Sequence, residues 1–249
     1  MDSIHVVIPM AGTGSRFAKA GYPKPKPFID VMGKPMIIRV IENLQCKGAS
    51  FILLAREEQL EQEKETVKFI CDHYPATFVS VPSLTEGTAC TVLLAEEMID
   101  NATPLLIANS DQIVDSTMDK MIDDAKQRYL DGSILTFIDA LRDPKWSFAK
   151  VNEQGFVTEV KEKAAISQYA TVGIYYFAKG QDFVRNAQAM IAANERVNNE
   201  FYTCPVYNYL IKEGGQVGIY NIDQEQMHGL GTPEDLNAYL KQMAQAAGS

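Results

Sequence analysis

At 249 residues, 46% apolar, 22% charged and 9% aromatic, the chain is long enough for one large α/β domain or two small ones, and its composition excludes a disordered, collagen-like or low-complexity protein. Its four cysteines, Cys46, Cys71, Cys90 and Cys204, are far apart and form no C-x-x-C, so neither a disulfide framework nor a zinc site is indicated and a reducing compartment is expected. The net charge of −9 argues against nucleic-acid binding; the polar start Met1-Asp2-Ser3 and the lack of any apolar run near the ~20 residues of a membrane span predict a cytoplasmic protein with no membrane insertion.

The charge is unevenly spread. Residues 1–50 hold seven Lys/Arg and three Asp/Glu, whereas residues 51–249 hold sixteen and twenty-nine. Five of the cations, Arg16, Lys19, Lys24, Lys26 and Lys34, fall within 16–34 beside a single acid, Asp30.

In chain order, Ile4–Met10 reads as a buried parallel strand that stops at a glycine cluster, so its C-terminal end should carry a ligand loop. Pro23, Pro25 and Pro27 forbid helix and predict an extended path from which Lys24 and Lys26 project. Pro35 then opens a helix whose apolar stripe runs to about Leu44. Further strands are expected at Phe51–Ala55, Thr77–Val81, Leu105–Ala108, Ile134–Phe137, Phe156–Val160, Val172–Phe177 and Val217–Tyr220. Helices are expected near 57–72, 88–99, 117–129, 182–193, 205–213 and 233–246, the last opened by Thr232-Pro233-Glu234-Asp235, with a frayed tail over Lys241–Ser249. This alternation predicts an α/β fold: a mixed, mostly parallel, Rossmann-like sheet with helices on both faces and a small strand-rich acceptor-binding lobe. One domain is expected over 1–249, with a nucleotide-binding half to about residue 130 and an acceptor-binding half beyond it.

The strongest chemical signal is Ala11-Gly12-Thr13-Gly14-Ser15-Arg16-Phe17, directly after the first strand. Closely spaced glycines let backbone N–H groups converge on an anion, and Arg16 adds a charged fork for phosphate oxygens. A tight strand-to-helix turn would use the same residues. A dinucleotide fingerprint is weakened by Phe17, where a small residue is wanted, and by Arg56 at the end of the second strand. No Walker A loop and no G-x-S-x-G occurs.

Taken with Pro25-Lys26-Pro27-Phe28-Ile29 and Val31-Met32-Gly33-Lys34-Pro35-Met36-Ile37, that loop resembles the amino-terminal signature of the sugar-phosphate nucleotidyltransferases, which join an NTP to a phosphorylated acceptor and release pyrophosphate. The resemblance implies a nucleotide site of Met10, Ala11, Gly12, Thr13, Gly14, Ser15, Arg16, Lys26, Ser83, Glu86, Gly87, Thr88, Ala89 and Ser110. It assigns catalytic roles to Lys26, Arg16 and Asp111, and it makes Asp111 of Asn109-Ser110-Asp111 a Mg²⁺ ligand. Glu159-Val160-Lys161-Glu162-Lys163 resembles the family's V-x-E-K-P segment, which implies acceptor contacts from Glu162 and Lys163, joined by Thr171, Gly173 and Glu200; Gly173 would let the substrate approach.

One position departs from the pattern. Many members of the family it resembles carry W-x-D-x-G-T-P-E-D-L, with the aspartate as second metal ligand, and here Met227-His228-Gly229-Leu230-Gly231-Thr232-Pro233 puts Gly229 at that position. Asp223, six residues earlier, is either the substitute, reaching in from the preceding strand end, or a turn residue. The small size and this departure favour the capsule-type cytidylyltransferase branch of surface-polysaccharide pathways, with CTP as nucleotide, a sugar 1-phosphate or another small phosphorylated acceptor, and a single activity. Self-association stays open. A nucleotide-sugar glycosyltransferase of GT-A type lacks its D-x-D here, because Gln112-Ile113 follows Asp111. A non-catalytic nucleotide-binding module would be expected to lose Lys26 or Asp111, and both are present.

Overall fold

In the computed structural model, residues 3–247 are described. The first strand, β1 (Ile4–Pro9), has Val6, Val7 and Ile8 fully buried, as a central parallel strand covered on both faces requires. With it, β2 (Ala49–Arg56), β3 (Ala76–Val81), β4 (Leu105–Ala108), β5 (Gly132–Ile138), β6 (Phe148–Val151), β7 (Val157–Lys161), β8 (Tyr169–Phe177) and β9 (Val217–Ile222) form one sheet. β1 pairs in parallel with both β2 and β4, and β2 with β3, giving the order β3-β2-β1-β4. β8 then adds antiparallel to β4 and, on its other edge, to β5, which pairs in parallel with β9. The β6–β7 pair joins β8 at Ala170↔Phe148. Strands from both halves of the chain therefore share one sheet, and the expected mixed, mostly parallel α/β architecture is found.

Helices cover both faces. On one face of the sheet Met36–Asn43 and Met118–Gln127 share a hydrophobic cluster with its strands; on the other Thr88–Leu93, Gly180–Ala192 and Val206–Lys212 do so. Helix Met36–Asn43 buries Met36, Ile37, Ile38, Val40 and Ile41, and each such large apolar side chain contributes about 1.5–3 kcal/mol relative to exposure. A third, smaller cluster joins Phe17, Ile29, Val31, Met36, Ile113, Leu230 and Leu236. It ties four separate segments together beneath the C-terminal ends of β1 and β4.

Several local expectations need correction. The extended path holds through Pro25 (φ −56°, ψ 143°), after which Lys26–Phe28 makes one 3₁₀ turn; Pro27 tolerates this because a first-turn residue needs no amide donor. The 57–72 helix is two, Glu57–Gln62 and Lys64–His73, and the break falls at Glu63, which is buried and takes the Lys24 ammonium at 3.2 Å. The 88–99 helix likewise divides into Thr88–Leu93 and Glu96–Ile99. Strand β6 escaped the sequence pattern. The final helix runs over Pro233–Ala247, so Lys241–Ala247 is helical where fraying was expected; Met1, Asp2, Gly248 and Ser249 lie outside the described residues.

Candidate active site

The register Val7↔Ile107 between β1 and β4 brings the loop after Pro9 level with Asn109–Asp111, at the strand ends where parallel sheets bind ligands. In this loop Gly14 has φ +59°, and a Cβ there would lie 3.0 Å from Cβ of Lys26. Only glycine combines that left-handed backbone with so close an approach. The amides of residues 11–16 donate to no backbone carbonyl among the described residues, whereas Phe17 and Ala18 both donate back to the Gly14 carbonyl. Phe17 is buried against Tyr22 with ring centroids 5.1 Å apart. The phenylalanine that breaks the dinucleotide pattern thus anchors the loop to the third hydrophobic cluster.

The loop opens on a cavity of about 830 Å³. Of the residues expected to bind nucleotide, Met10, Gly12, Thr13, Gly14, Ser15, Arg16, Lys26, Thr88 and Ser110 line it; Asp111, Glu162, Thr171 and Gly173 line it as well. Lys26 Nζ donates to Asp111 Oδ2 in an ion pair that joins the loop side to the β4 side. Arg16 is exposed and makes no ion pair among the described residues, which leaves its guanidinium free for an anion.

Other expected residues stand back from the cavity. Ala11 and Ala89 are buried, and Ser83 is exposed and does not line the cavity. Gly87 has φ +132°, and a Cβ there would meet the Phe201 carbonyl oxygen at 2.4 Å. Its neighbours are stitched to the same segment: Phe201 N–H donates to the Glu86 carbonyl at 2.8 Å and Ala89 N–H to the Phe201 carbonyl at 3.0 Å. Glu86 itself pairs with Arg196 at 3.0 Å. Glu200 precedes this crossing and does not reach the cavity. Asp223 lies outside it too, in the capping box of the 3₁₀ turn Gln224–Gln226. The expectation that Asp223 joins Asp111 is therefore not met.

Also on the cavity wall, Ser147 Oγ donates to Glu162, and the Thr171 and Tyr175 hydroxyls lie 3.2 Å apart. Burial raises the Glu162 carboxyl above its usual range, with the Ser147 hydrogen bond and Lys163 partly offsetting it. Burial also pushes the Cys204 thiol and the Tyr175 phenol well up, so both are neutral polar walls. Lys163 does not line the cavity; its ammonium donates to the Tyr202 hydroxyl at 2.6 Å and lies 4.7 Å from that ring's centroid. Gly173 lines it, yet a Cβ there would meet Asn109 Nδ2 at 2.2 Å and Gln112 Oε1 at 2.7 Å. Those side chains, then, already account for the glycine. Lys145, Trp146, Ser147, Tyr202, Thr203 and Cys204 line the cavity too; none stands in a recognisable motif, and topology alone gathers them.

An amide-rich loop at a parallel strand end, a free arginine and a lysine–carboxylate pair on one cavity define an α/β protein built to handle phosphate esters. The model of the nucleotidyl transferase family matches residues 5–238, and the chain belongs to that family. It is 29% identical to a mannose-1-phosphate guanyltransferase of Yarrowia lipolytica over 151 residues, 60% of this chain and 41% of that protein. It is 24% identical to the UTP–glucose-1-phosphate uridylyltransferase AglF of Haloferax volcanii, covering 93% of each. The chain spans less than half the length of the guanyltransferases it matches. Among solved structures, a nucleoside-diphosphate-sugar pyrophosphorylase from Vibrio cholerae RC9 superposes with a TM-score of 0.78 at 23% identity, over 95% of this chain and 99% of that one. At that identity the likeness concerns the fold.

Proposed function

We propose that the chain transfers a nucleotidyl group from an NTP, with CTP favoured, to a phosphorylated small molecule such as a sugar 1-phosphate, releasing pyrophosphate in the cytoplasmic synthesis of surface-polysaccharide (capsule) precursors. The observation that carries this reading is the convergence on one cavity of the unpaired loop amides, Arg16, the Lys26–Asp111 pair, Glu162 and Thr171.

In this reading the amides of residues 11–15 and Arg16 hold the β- and γ-phosphates. Lys26 leaves Asp111 for the α-phosphate and neutralises charge that develops there. The acceptor phosphate is already anionic at neutral pH, so it attacks in line without a general base, and positioning supplies much of the rate. Lys163 meets the acceptor phosphate at the margin, and Glu162 accepts hydrogen bonds from acceptor hydroxyls. The donor set suits Mg²⁺: Asp111 offers a hard carboxylate oxygen on the cavity wall, and glycine at 231 leaves room beside it, since a Cβ there would lie 2.9 Å from Asp111 Oδ2. When bound, Mg²⁺ would add charge neutralisation at the phosphates.

The test is pyrophosphate release with each of the four NTPs, Mg²⁺ and a panel of phosphorylated acceptors. One NTP, CTP first, should support turnover with at least one acceptor. Failure of every combination would overturn the reading.

A further inference from the structure

We infer that Asp235 is the second carboxylate of the divalent-cation site and acts with Asp111; the inference rests on the nucleotidyltransfer reading. Strand Met227–Gly229 pairs antiparallel with Gln112–Val114, placing Gly229 opposite Gln112, the residue next to Asp111. The chain continues along Asp111, whose carbonyl accepts the Leu230 N–H at 2.7 Å. Around Gly229 there is room for a side chain: a Cβ would have one heavy atom within 4 Å, Cγ of Asp235 at 3.9 Å. The space a side chain at 229 would enter is thus faced by the carboxyl group of Asp235. Two residues on, Gly231 abuts the carboxylate of Asp111: a Cβ there would lie 2.9 Å from Oδ2. Two glycines in this short run each face a carboxylate, and both acids line the same cavity.

Asp235 reaches this position from the first turn of Pro233–Ala247. One of its oxygens, Oδ2, accepts the Thr232 hydroxyl at 2.8 Å, which fixes the carboxylate; Oδ1 has no hydrogen-bond partner among the described residues. No group of three or more His, Cys, Asp or Glu gathers among the described residues. Two protein carboxylates completed by water and substrate phosphates match the habit of Mg²⁺, which keeps several waters and takes few protein ligands. A bare helix cap would explain the Thr232–Asp235 bond but not the side-chain-free space at 229 in front of it.

Mn²⁺ binding to the intact protein, followed by the loss of free Mn²⁺ signal in electron paramagnetic resonance, tests the assignment alongside the melting temperature. Asp235→Asn, which keeps an acceptor for Thr232, should weaken Mn²⁺ binding by roughly tenfold or more, and Asp223→Asn should stay within about twofold. Gly229→Asp in the Asp235→Asn background returns a carboxylate to the same space and should recover most of the affinity. A cap-only role predicts lower melting temperature with Mn²⁺ affinity unchanged, and that outcome overturns the proposal. So do wild-type protein that binds no Mn²⁺ at millimolar concentration, an Asp223→Asn loss equal to that of Asp235→Asn, and a folded double variant no tighter than Asp235→Asn. Pyrophosphate release by the wild type separates the two readings: if it persists while Asp235 is indifferent to Mn²⁺, only the cation assignment falls.

Discussion

Lys26 and Asp111, 85 positions apart in sequence, form an ion pair in which each side chain is only 20% exposed. Each neutralises the other in the free protein. A polyanion entering the amide loop competes with Asp111 for the Lys26 ammonium, and a cation arriving at Asp111 releases the same ammonium to the phosphates. Nucleotide and divalent cation should therefore bind with positive coupling, through this shared pair.

Replacing Lys26 by Met keeps the aliphatic stem against Gly14 and deletes the charge. kcat should fall by roughly 10²-fold or more, the effect of losing one preorganised electrostatic contact. The KM for NTP should move much less, because in the proposed reading the loop amides and Arg16 would still hold the triphosphate. Lys24→Met is the control. Lys24 pairs with Glu63 at the helix break and is half exposed, so its loss costs about 0–1 kcal/mol of stability and leaves kcat within a few-fold. Equal damage from both variants in steady-state kinetics would show that the motif register is misassigned.

Gly87→Ala probes the clamp between the 85–89 loop and the 200–204 segment. A methyl group cannot share space with the Phe201 backbone at 2.4–2.8 Å, and φ +132° is itself strained for any side chain. The variant should lose about 2–4 kcal/mol, read as a melting temperature lower by roughly 5–12 °C. Thr88, bonded to Thr203 across the same clamp, should shift with it and raise the KM for NTP. An unchanged melting temperature would mean that residues 85–88 and 200–203 do not cross as described.

Much of this was legible in the chain. The run Ile4–Met10 before Gly12 and Gly14 announced a parallel strand feeding an anion loop, and both glycines face the cavity. What escaped the sequence lies where distant segments meet. The letters of Thr85-Glu86-Gly87 suggest direct nucleotide contact, but Gly87 is glycine because Phe201 crosses it, over a hundred residues downstream. Asp223, an acid at a strand end, left substitute and turn residue equally open, and it closes its own 3₁₀ turn; Asp235 reads as a helix cap until Gly229 is seen in front of it. Local propensity reports caps and turns well. It carries no information about which turn faces which.

The last prediction concerns Glu162, whose carboxyl is raised above its ordinary value of 4.5 by burial. A folded-state pKa above the unfolded one means that the unfolded chain gives up this proton first. Below 4.5 both states keep it and the residue is neutral in effect; as pH rises through the folded value, the cost of the buried charge appears in full and then levels off. Glu162→Gln keeps an acceptor for the Ser147 hydroxyl and removes that cost. The melting temperature of the variant minus that of wild type should therefore grow as pH rises above 4.5 and level off above the folded-state value. Activity should move the other way: losing a charged acceptor for substrate hydroxyls, at about 1.5–3 kcal/mol, should raise the acceptor KM roughly 10–100-fold while the KM for NTP stays near wild type. A stability difference that is flat from pH 4 to 8 would exclude the buried charge, and an unchanged acceptor KM would remove Glu162 from the acceptor site.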